Sequence, residues 1–173
     1  MPPIVSFIGY HDSGKTTLAS QVVAHLKRRG YRLAVIKSTK ETGLEFDEPD
    51  TDTHIHRQAG ADAVTLVAPD QVVMFADPSP LELVDLVERF YPDMDIVIAE
   101  GFKDARDIAK IEVCSGSGPR LLNRVQGVIA QVDDISGNRE VRVFDRNRSS
   151  QIADFIEKRF LQDGPEIRAV DGM

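Results

Sequence analysis

The segment with the clearest chemistry is an octapeptide that ends in a lysine and a threonine. Gly9-Tyr10-His11-Asp12-Ser13-Gly14-Lys15-Thr16 fits the pattern G-x-x-x-x-G-K-[ST]. In such loops backbone amides surround phosphate oxygens, the lysine reaches the β- and γ-phosphates, and the hydroxyl is a ligand of Mg²⁺. We predict that Lys15 also acts catalytically. The residues predicted to bind a nucleotide are Gly9, His11, Asp12, Ser13, Gly14, Lys15, Thr16 and Thr17.

The sequence on either side of this loop has the pattern that the motif requires. Residues 4–8 form an apolar run short enough to be a buried strand, and residues 17–29 place Leu18, Val22 and Leu26 on one helical face. A strand, a glycine loop and a helix in this order are the setting in which the motif binds phosphate. The pattern therefore favours a phosphate-binding loop over a glycine turn that matches by chance.

A second candidate for the site is the acid at the end of another apolar run. Residues 96–99 are apolar and Glu100 follows them directly. A strand of this kind delivers a carboxylate beside a phosphate loop, where the carboxylate either completes the magnesium shell or orients a water molecule. We predict that Thr16 and Glu100 hold Mg²⁺ and that Glu100 has the second catalytic role.

Asp133 is a weaker candidate for base recognition. It follows a strand predicted at residues 125–130, where many GTP-binding folds carry Asn-Lys-x-Asp or Thr-Lys-x-Asp, and here only the aspartate matches. A carboxylate at this place can accept hydrogen bonds from N1 and N2 of guanine. The alternative is a loop acid that caps its own backbone, and the sequence leaves both interpretations open.

Alternating strand and helix patterns predict the fold around these residues. Strands are expected at 33–36, 108–114 and 141–144, helices at 53–60 and from Ser149, and a hairpin at 63–68 and 71–75. A further helix is expected to begin at Ser79-Pro80. This order predicts an α/β, P-loop NTPase-like three-layer fold, with a mainly parallel sheet and an antiparallel hairpin. The hairpin is expected to be the one antiparallel element of that otherwise parallel sheet. Ligands of such sheets lie beyond the C-terminal strand ends, where the glycine loop, Lys37, Glu100 and Asp133 all fall.

Composition limits the class of protein. The chain has 173 residues, 42% of them hydrophobic, and a net charge of -7. We expect one nucleotide-binding domain over residues 1–173 with a flexible tail at 162–173. The negative charge argues against nucleic-acid and anionic-membrane partners, and no apolar run is long enough for a membrane span or a signal peptide. Cys114 is the only cysteine, so no internal disulfide forms, and a reducing cytoplasm is expected.

Four segments together resemble the molybdopterin-guanine dinucleotide biosynthesis protein B (MobB) family. They are the phosphate loop through Leu18, Asp52-Thr53 with residues 57–61, residues 95–103 with Glu-Gly-Phe-Lys, and Lys110-Ile111-Glu112-Val113. The resemblance implies a GTP-binding adaptor with at most weak GTP hydrolysis, usually dimeric, that works with molybdopterin and the guanylyltransferase that forms the dinucleotide. The family often has His-Thr-His-His where this chain has Ser38-Thr39-Lys40-Glu41.

Two further expectations concern activity and assembly. A P-loop small-molecule kinase or ligase that uses ATP is the alternative function. It would need an arginine-rich lid, and the chain is rich in arginine between residues 120 and 148 without a recognisable lid motif. We also expect a homodimer, because the hairpin at 63–75 leaves a strand edge that can pair with a second copy.

Overall fold

The computed structural model describes residues 1–76, 82–116, 118–134 and 140–161. The chain divides into two compact units, one formed by Met1–Thr39 and Glu82–Met173 and the other by Lys40–Leu81. The grouping of residues 1–173 into one domain stays a prediction. Both the expected helix start at Ser79-Pro80 and the expected flexible tail at 162–173 lie outside the described residues.

The elements in chain order are β1 (Ile4–Ile8), α1 (Lys15–Arg28), β2 (Leu33–Lys37), α2 (Asp52–Gln58), β3 (Ala63–Val67), β4 (Val72–Ala76), α3 (Leu83–Phe90), β5 (Ile96–Glu100), β6 (Ala109–Val113), β7 (Val128–Val132), β8 (Arg142–Phe144) and α4 (Ser149–Phe160). Along the described chain, the larger unit contains a six-stranded sheet in the order β2-β5-β1-β6-β7-β8. Every pairing in this sheet is parallel. The predicted α/β fold with a mainly parallel sheet is confirmed.

Both faces of the parallel sheet are covered, as an all-parallel sheet requires. Alternate residues of the central strands, such as Phe7 and Ile98, pack with α1 and α4, whose apolar faces include Val22 and Ile152. The strand residues that alternate with these point to the other face of the sheet and form a second core there with Leu83 and Val87 of α3. Strands β1 and β5 are buried along their whole length, in agreement with sequences that are apolar except for Ser6 and Glu100.

Polar contacts join α1 to α4 at the end of α1. The Tyr31 hydroxyl donates to Glu157 Oε1 at 2.9 Å, and the side chain is 1% exposed. Arg29 pairs with Asp154 and Glu157, with both N–O distances at 2.5 Å. Burial, followed by the hydrogen bond to Glu157, raises the pKa of Tyr31 to about 12.

The smaller unit contains α2 and the hairpin. Thr51 caps α2 by accepting from the His54 amide at 3.3 Å, and Asp47 accepts from Thr53 Oγ1 at 2.8 Å. Strands β3 and β4 pair antiparallel with each other from Ala63–Ala76 to Val67–Val72. The hairpin is confirmed, but its placement as an antiparallel element of the main sheet is wrong, because these strands form a separate two-stranded sheet in the part of the chain that is described.

The start of β7 also differs from the prediction. The amides of Arg124 and Val125 donate to the Leu121 carbonyl at 2.7 and 3.0 Å, which makes this segment a turn. Gly127 then adopts a φ of 80°, and the strand begins at Val128. The sequence pattern placed the start of this strand too early, because the residues before Gly127 form hydrogen bonds within a turn and not with a neighbouring strand.

Within the described ranges, none of the helices is both long and apolar enough to cross a membrane.

Candidate nucleotide-binding site

The phosphate loop connects β1 to α1, and its two glycines are required by its geometry. Gly9 has a φ of 156°, and a Cβ there would collide with the Val113 carbonyl oxygen. Gly14 has a φ of 83° and is the N-cap of α1, and a Cβ there would lie 2.8 Å from Arg146 Nη1. Both positions therefore need glycine. The helix begins at Lys15, so its free N-terminal amides lie at the loop, where they favour an anion.

The side chain of Lys15 folds back over the phosphate loop and contacts it through hydrogen bonds. Its Nζ donates to the Tyr10 carbonyl at 2.6 Å and to Ser13 Oγ at 3.4 Å. Burial lowers the pKa of Lys15; the charge of Glu100 opposes this decrease, and the charge of Lys37 adds to it. The ammonium group thus donates to neutral oxygens of its own loop. Phosphate oxygens are charged and therefore stronger acceptors, so they can replace these neutral oxygens.

Thr16 and Glu100 lie in direct contact. Thr16 Oγ1 donates to Glu100 Oε1 at 2.6 Å, and the same carboxylate oxygen is 3.3 Å from Lys37 Nζ. The contact follows from the sheet, since β5 lies between β1 and β2, and Glu100 pairs in register with Phe7 on one side and Lys37 on the other. Only 12% of the Glu100 side chain is exposed, whereas 59% of the Lys37 side chain is.

Hydroxyl and carboxylate oxygens are ligands that Mg²⁺ accepts, and they leave the rest of its shell to phosphates and water. Thr16 and Glu100 therefore fit the predicted magnesium site. The described residues contain no group of three or more His, Cys, Asp or Glu that could hold a metal by themselves.

Ser38 connects the ends of β2 and β5 behind the carboxylate. Its amide donates to the Glu100 carbonyl at 3.0 Å, and its hydroxyl accepts from the Phe102 amide at 3.3 Å. Gly101 has a φ of 93°, and a Cβ there would collide with Ser38 Oγ. Ser38 thus fixes the turn that carries Glu100.

Of the other predicted loop residues, His11, Asp12 and Thr17 are exposed and Ser13 is buried. His11 and Asp12 are 94% and 88% exposed in their side chains and pair with each other at 2.8 Å. Thr17 is exposed on the first turn of α1, whereas Ser13 is buried beneath the loop. The structure therefore brings Lys15, Thr16 and Glu100 together and leaves His11, Asp12 and Thr17 facing solvent.

Asp133 lies at the end of β7, and its carboxylate is already paired. Its Oδ2 accepts from Arg120 Nη2 at 2.8 Å, its amide donates to the Phe144 carbonyl at 3.0 Å, and its side chain is 11% exposed. Arg120 also donates to the carbonyls of Gly116 and Gly118 at 2.8 and 3.2 Å. A guanine base would have to share this carboxylate with Arg120, so the guanine contact stays a prediction.

Arg146 holds the phosphate loop through a hydrogen bond to its backbone, a role that the sequence did not predict. Its guanidinium donates to the Ser13 carbonyl at 2.5 Å and to the Cys114 carbonyl, and Nε lies 3.5 Å from Asp134 Oδ2. One side chain from the loop after β8 thus holds the phosphate loop, the end of β6 and the segment after Asp133. The only signal in the sequence was the number of arginines in this region.

A phosphate loop between the first strand and first helix of a parallel sheet, with a carboxylate from the adjacent strand on its threonine, defines a P-loop NTPase-like protein. The family model for "Molybdopterin guanine dinucleotide synthesis protein B", MobB, matches residues 4–134. This chain belongs to the MobB family, which confirms the resemblance seen in the sequence.

Relatives and solved structures agree with this assignment. The chain is 34% identical over 164 residues to the molybdopterin-guanine dinucleotide biosynthesis adapter protein of Escherichia coli (strain K12), covering 90% of this chain and 92% of the relative. It is 31% identical over 158 residues to the Haemophilus influenzae adapter protein, covering 90% and 88%. A crystal structure of molybdopterin-guanine biosynthesis protein B superposes with a TM-score of 0.73 at 28% identity, covering 91% of this chain and 99% of that one.

Proposed function

We propose that this chain is a GTP-binding adapter that assists the formation of molybdopterin guanine dinucleotide. The observation that carries the nucleotide part is the 2.6 Å contact between Thr16 of the phosphate loop and the buried carboxylate of Glu100. The adapter part rests on membership of the MobB family, whose members similar to this chain are named adapter proteins.

In this proposal the phosphate loop holds the triphosphate, and the two oxygen ligands hold its magnesium. Lys15 exchanges the Tyr10 carbonyl for the β- and γ-phosphates, and the amides at the start of α1 bind the remaining oxygens. Thr16 and Glu100 would hold Mg²⁺, and the exposed Lys37 ammonium, which contacts the same carboxylate oxygen, would add positive charge beside the phosphates. We propose a preference for guanine through Asp133, with Arg120 holding the carboxylate in place.

The same contacts support at most weak hydrolysis. Glu100 Oε1 accepts from Thr16 and lies 3.3 Å from Lys37 Nζ, so one of the two carboxylate oxygens is already engaged by the phosphate loop and a cation. A carboxylate used in this way serves the metal better than it serves as a base. The nucleotide is then held for a partner, which suits an adapter, and not turned over rapidly.

We propose three partners for the chain in a reducing cytoplasm: molybdopterin, the guanylyltransferase that joins it to GMP, and a second copy of this chain. The homodimer is supported by the hairpin, whose apolar side chains Leu66, Val67, Val72 and Met74 are 46% to 73% exposed. Exposed apolar residues on a short two-stranded sheet favour pairing with another chain. Light scattering should give twice the 19.2 kDa chain mass, and the mass of one chain at micromolar concentration would contradict the dimer.

Reconstitution of dinucleotide formation tests the proposed function as a whole. Purified guanylyltransferase, molybdopterin and GTP are mixed with wild-type protein, with the Lys15→Ala variant or with neither. We expect wild type to raise the rate or the yield and Lys15→Ala to do so poorly. Equal yields in all three mixtures would contradict the adapter, and ATP-dependent phosphorylation of a small molecule would favour the kinase.

A further inference from the structure

Two buried charged residues of β6 take no part in the phosphate loop. Lys110 and Glu112 are each 1% exposed. They alternate along the strand with Ile111 and Val113, which pack in the core that contains α1 and α4. The two charges therefore point to the other face of the sheet. Buried charges are costly unless hydrogen bonds satisfy them, so their partners show what they organise.

Gln131 of β7 donates to Glu112 Oε2 at 2.8 Å, and the other partners of Lys110 and Glu112 lie in the two loops that enter and leave β6. Lys110 Nζ donates to the Ala105 carbonyl at 2.6 Å in the loop before β6, and to the Gln126 carbonyl at 2.8 Å in the loop after it. Glu112 accepts from the amides of Leu121 and Leu122 at 2.5 and 3.2 Å, which anchors the second loop again. The two charges thus hold both loops against the sheet in a defined arrangement.

A pocket of about 480 Å³ lies between these loops, lined by residues 103–106 and 124–126. Its volume falls within the range of roughly 300–1,000 Å³ found for small-molecule sites. The charged lining consists of Lys103, Arg106 and Arg124 against the single carboxylate of Asp104. The chain as a whole has a net charge of -7, so a pocket with three cations and one carboxylate differs in sign from the chain average.

The position of this pocket separates it from the phosphate loop. Lys110, which joins its walls, lies near the start of β6, whereas Gly9 approaches Val113 at the end of the same strand. Three residues of strand span about 10 Å. Arg106 and residues 124–126 precede the starts of β6 and β7, while the phosphate loop follows the end of β1. Lys103 follows Glu100 by three residues, so it is the lining residue nearest in the chain to the phosphate loop's carboxylate.

The lining identifies the chemistry of the ligand. A guanidinium group matches the oxygens of a phosphate with two parallel hydrogen bonds, and a lysine adds a mobile positive charge. We propose that this pocket is a second anion site, which binds a phosphate group carried by a small ester or present as free phosphate. The buried Lys110 has a positioning role, because it holds Ala105 and Gln126 and so sets the distance between the walls that carry Arg106 and Arg124.

Residue-resolved NMR on the ¹⁵N-labelled full chain tests this site without any assumption about GTP. Glycerol 3-phosphate and inorganic phosphate are the probes, and glycerol is the uncharged control. We expect saturable shifts in residues 103–106 and 124–126 and in the Nε–Hε signals of Arg106 and Arg124. Tighter binding of glycerol 3-phosphate assigns an ester as the ligand, and equal binding assigns the phosphate group alone.

Charge-removal variants give the matched comparison. Replacing Arg106 and Arg124 together by alanine should weaken phosphate binding at these residues by at least about tenfold. Arg159→Ala removes the same type of charge from an exposed position on α4, on the opposite face, and should change the affinity less than about twofold. If the double variant does not fold, Arg124→Gln replaces it.

Three outcomes would overturn the proposal. They are shifts confined to residues 9–17, shifts that do not saturate, and an equal loss of affinity in Arg159→Ala. The wild-type chemical shifts report separately on the pocket residues and on the phosphate loop. A negative result for the pocket therefore does not bear on GTP binding at the phosphate loop. Failure of GTP to bind likewise leaves the phosphate titration interpretable.

Discussion

Replacing Glu100 by glutamine separates a metal ligand from a residue that only supports the loop. The change is nearly isosteric and removes one charge, while the amide can still accept from Thr16. The ion pair that it removes involves a Lys37 side chain that is 59% exposed. Pairs of this kind contribute about 0–1 kcal/mol, so the variant should fold with nearly unchanged stability.

The effects on GTP binding should have opposite signs with and without the metal. Without Mg²⁺, the carboxylate of Glu100 repels the triphosphate, so Glu100→Gln should bind GTP as tightly as wild type or more tightly. With Mg²⁺, loss of a charged oxygen ligand should weaken binding by at least about tenfold, or ~1.4 kcal/mol. Titration calorimetry in EDTA and in excess Mg²⁺ measures both values on the same preparation.

Lys37→Met is the control, because it removes the same ion pair but leaves the carboxylate in place. Its magnesium dependence should equal or exceed that of wild type. An equal loss of GTP affinity in both buffers for Glu100→Gln would refute the metal role. Unchanged binding with slower single-turnover hydrolysis would assign Glu100 to the attacking water instead, and no change in either assay would remove it from the site.

Three further predictions follow from contacts outside the metal site. Arg146→Ala should weaken GTP binding about tenfold by freeing the Ser13 carbonyl, with partial recovery in Arg146→Lys; equal affinities by calorimetry would contradict a positioning role. Tyr31 keeps its proton to about pH 12 when folded, so its stabilising effect is complete below pH ~10 and is lost as pH rises towards 12; Tyr31→Phe should reduce that loss by about 2–3 kcal/mol in urea unfolding followed by circular dichroism. Burial, with the charge of Glu112, raises the pKa of the Cys114 thiol to about 11, so a disulfide reagent at pH 8 should label it only in urea, and rapid native labelling would contradict its burial.

The parts of the site that sequence analysis identified are those that local sequence determines. The phosphate loop needs glycines at two fixed positions between a strand and a helix, and Glu100 follows four apolar residues that can only be a buried strand here. Such features depend on backbone conformation and burial over a few residues, which the order of residues displays directly.

The parts that sequence analysis missed depend on contacts between distant residues. Arg146 reaches the Ser13 carbonyl across 133 positions of the chain, and the pairing of Lys37 with Glu100 exists only because β2 and β5 are neighbours. The separate sheet formed by the hairpin was missed for the same reason, since an alternating pattern predicts a strand but does not name its partner. Likewise, Asp133 gave no sign that Arg120 would occupy its carboxylate.

Competition calorimetry with Lys15→Ala as the control tests the central claim, that this phosphate loop binds GTP in preference to ATP. GTP and Mg²⁺ are titrated into wild type and into Lys15→Ala, and then into wild type saturated with ATP. We predict saturable binding by wild type, at least about tenfold weaker binding by a folded Lys15→Ala, and ready displacement of ATP by GTP. Equal affinity of the two proteins would contradict the role of the loop, and equal affinity for the two nucleotides would contradict the guanine preference.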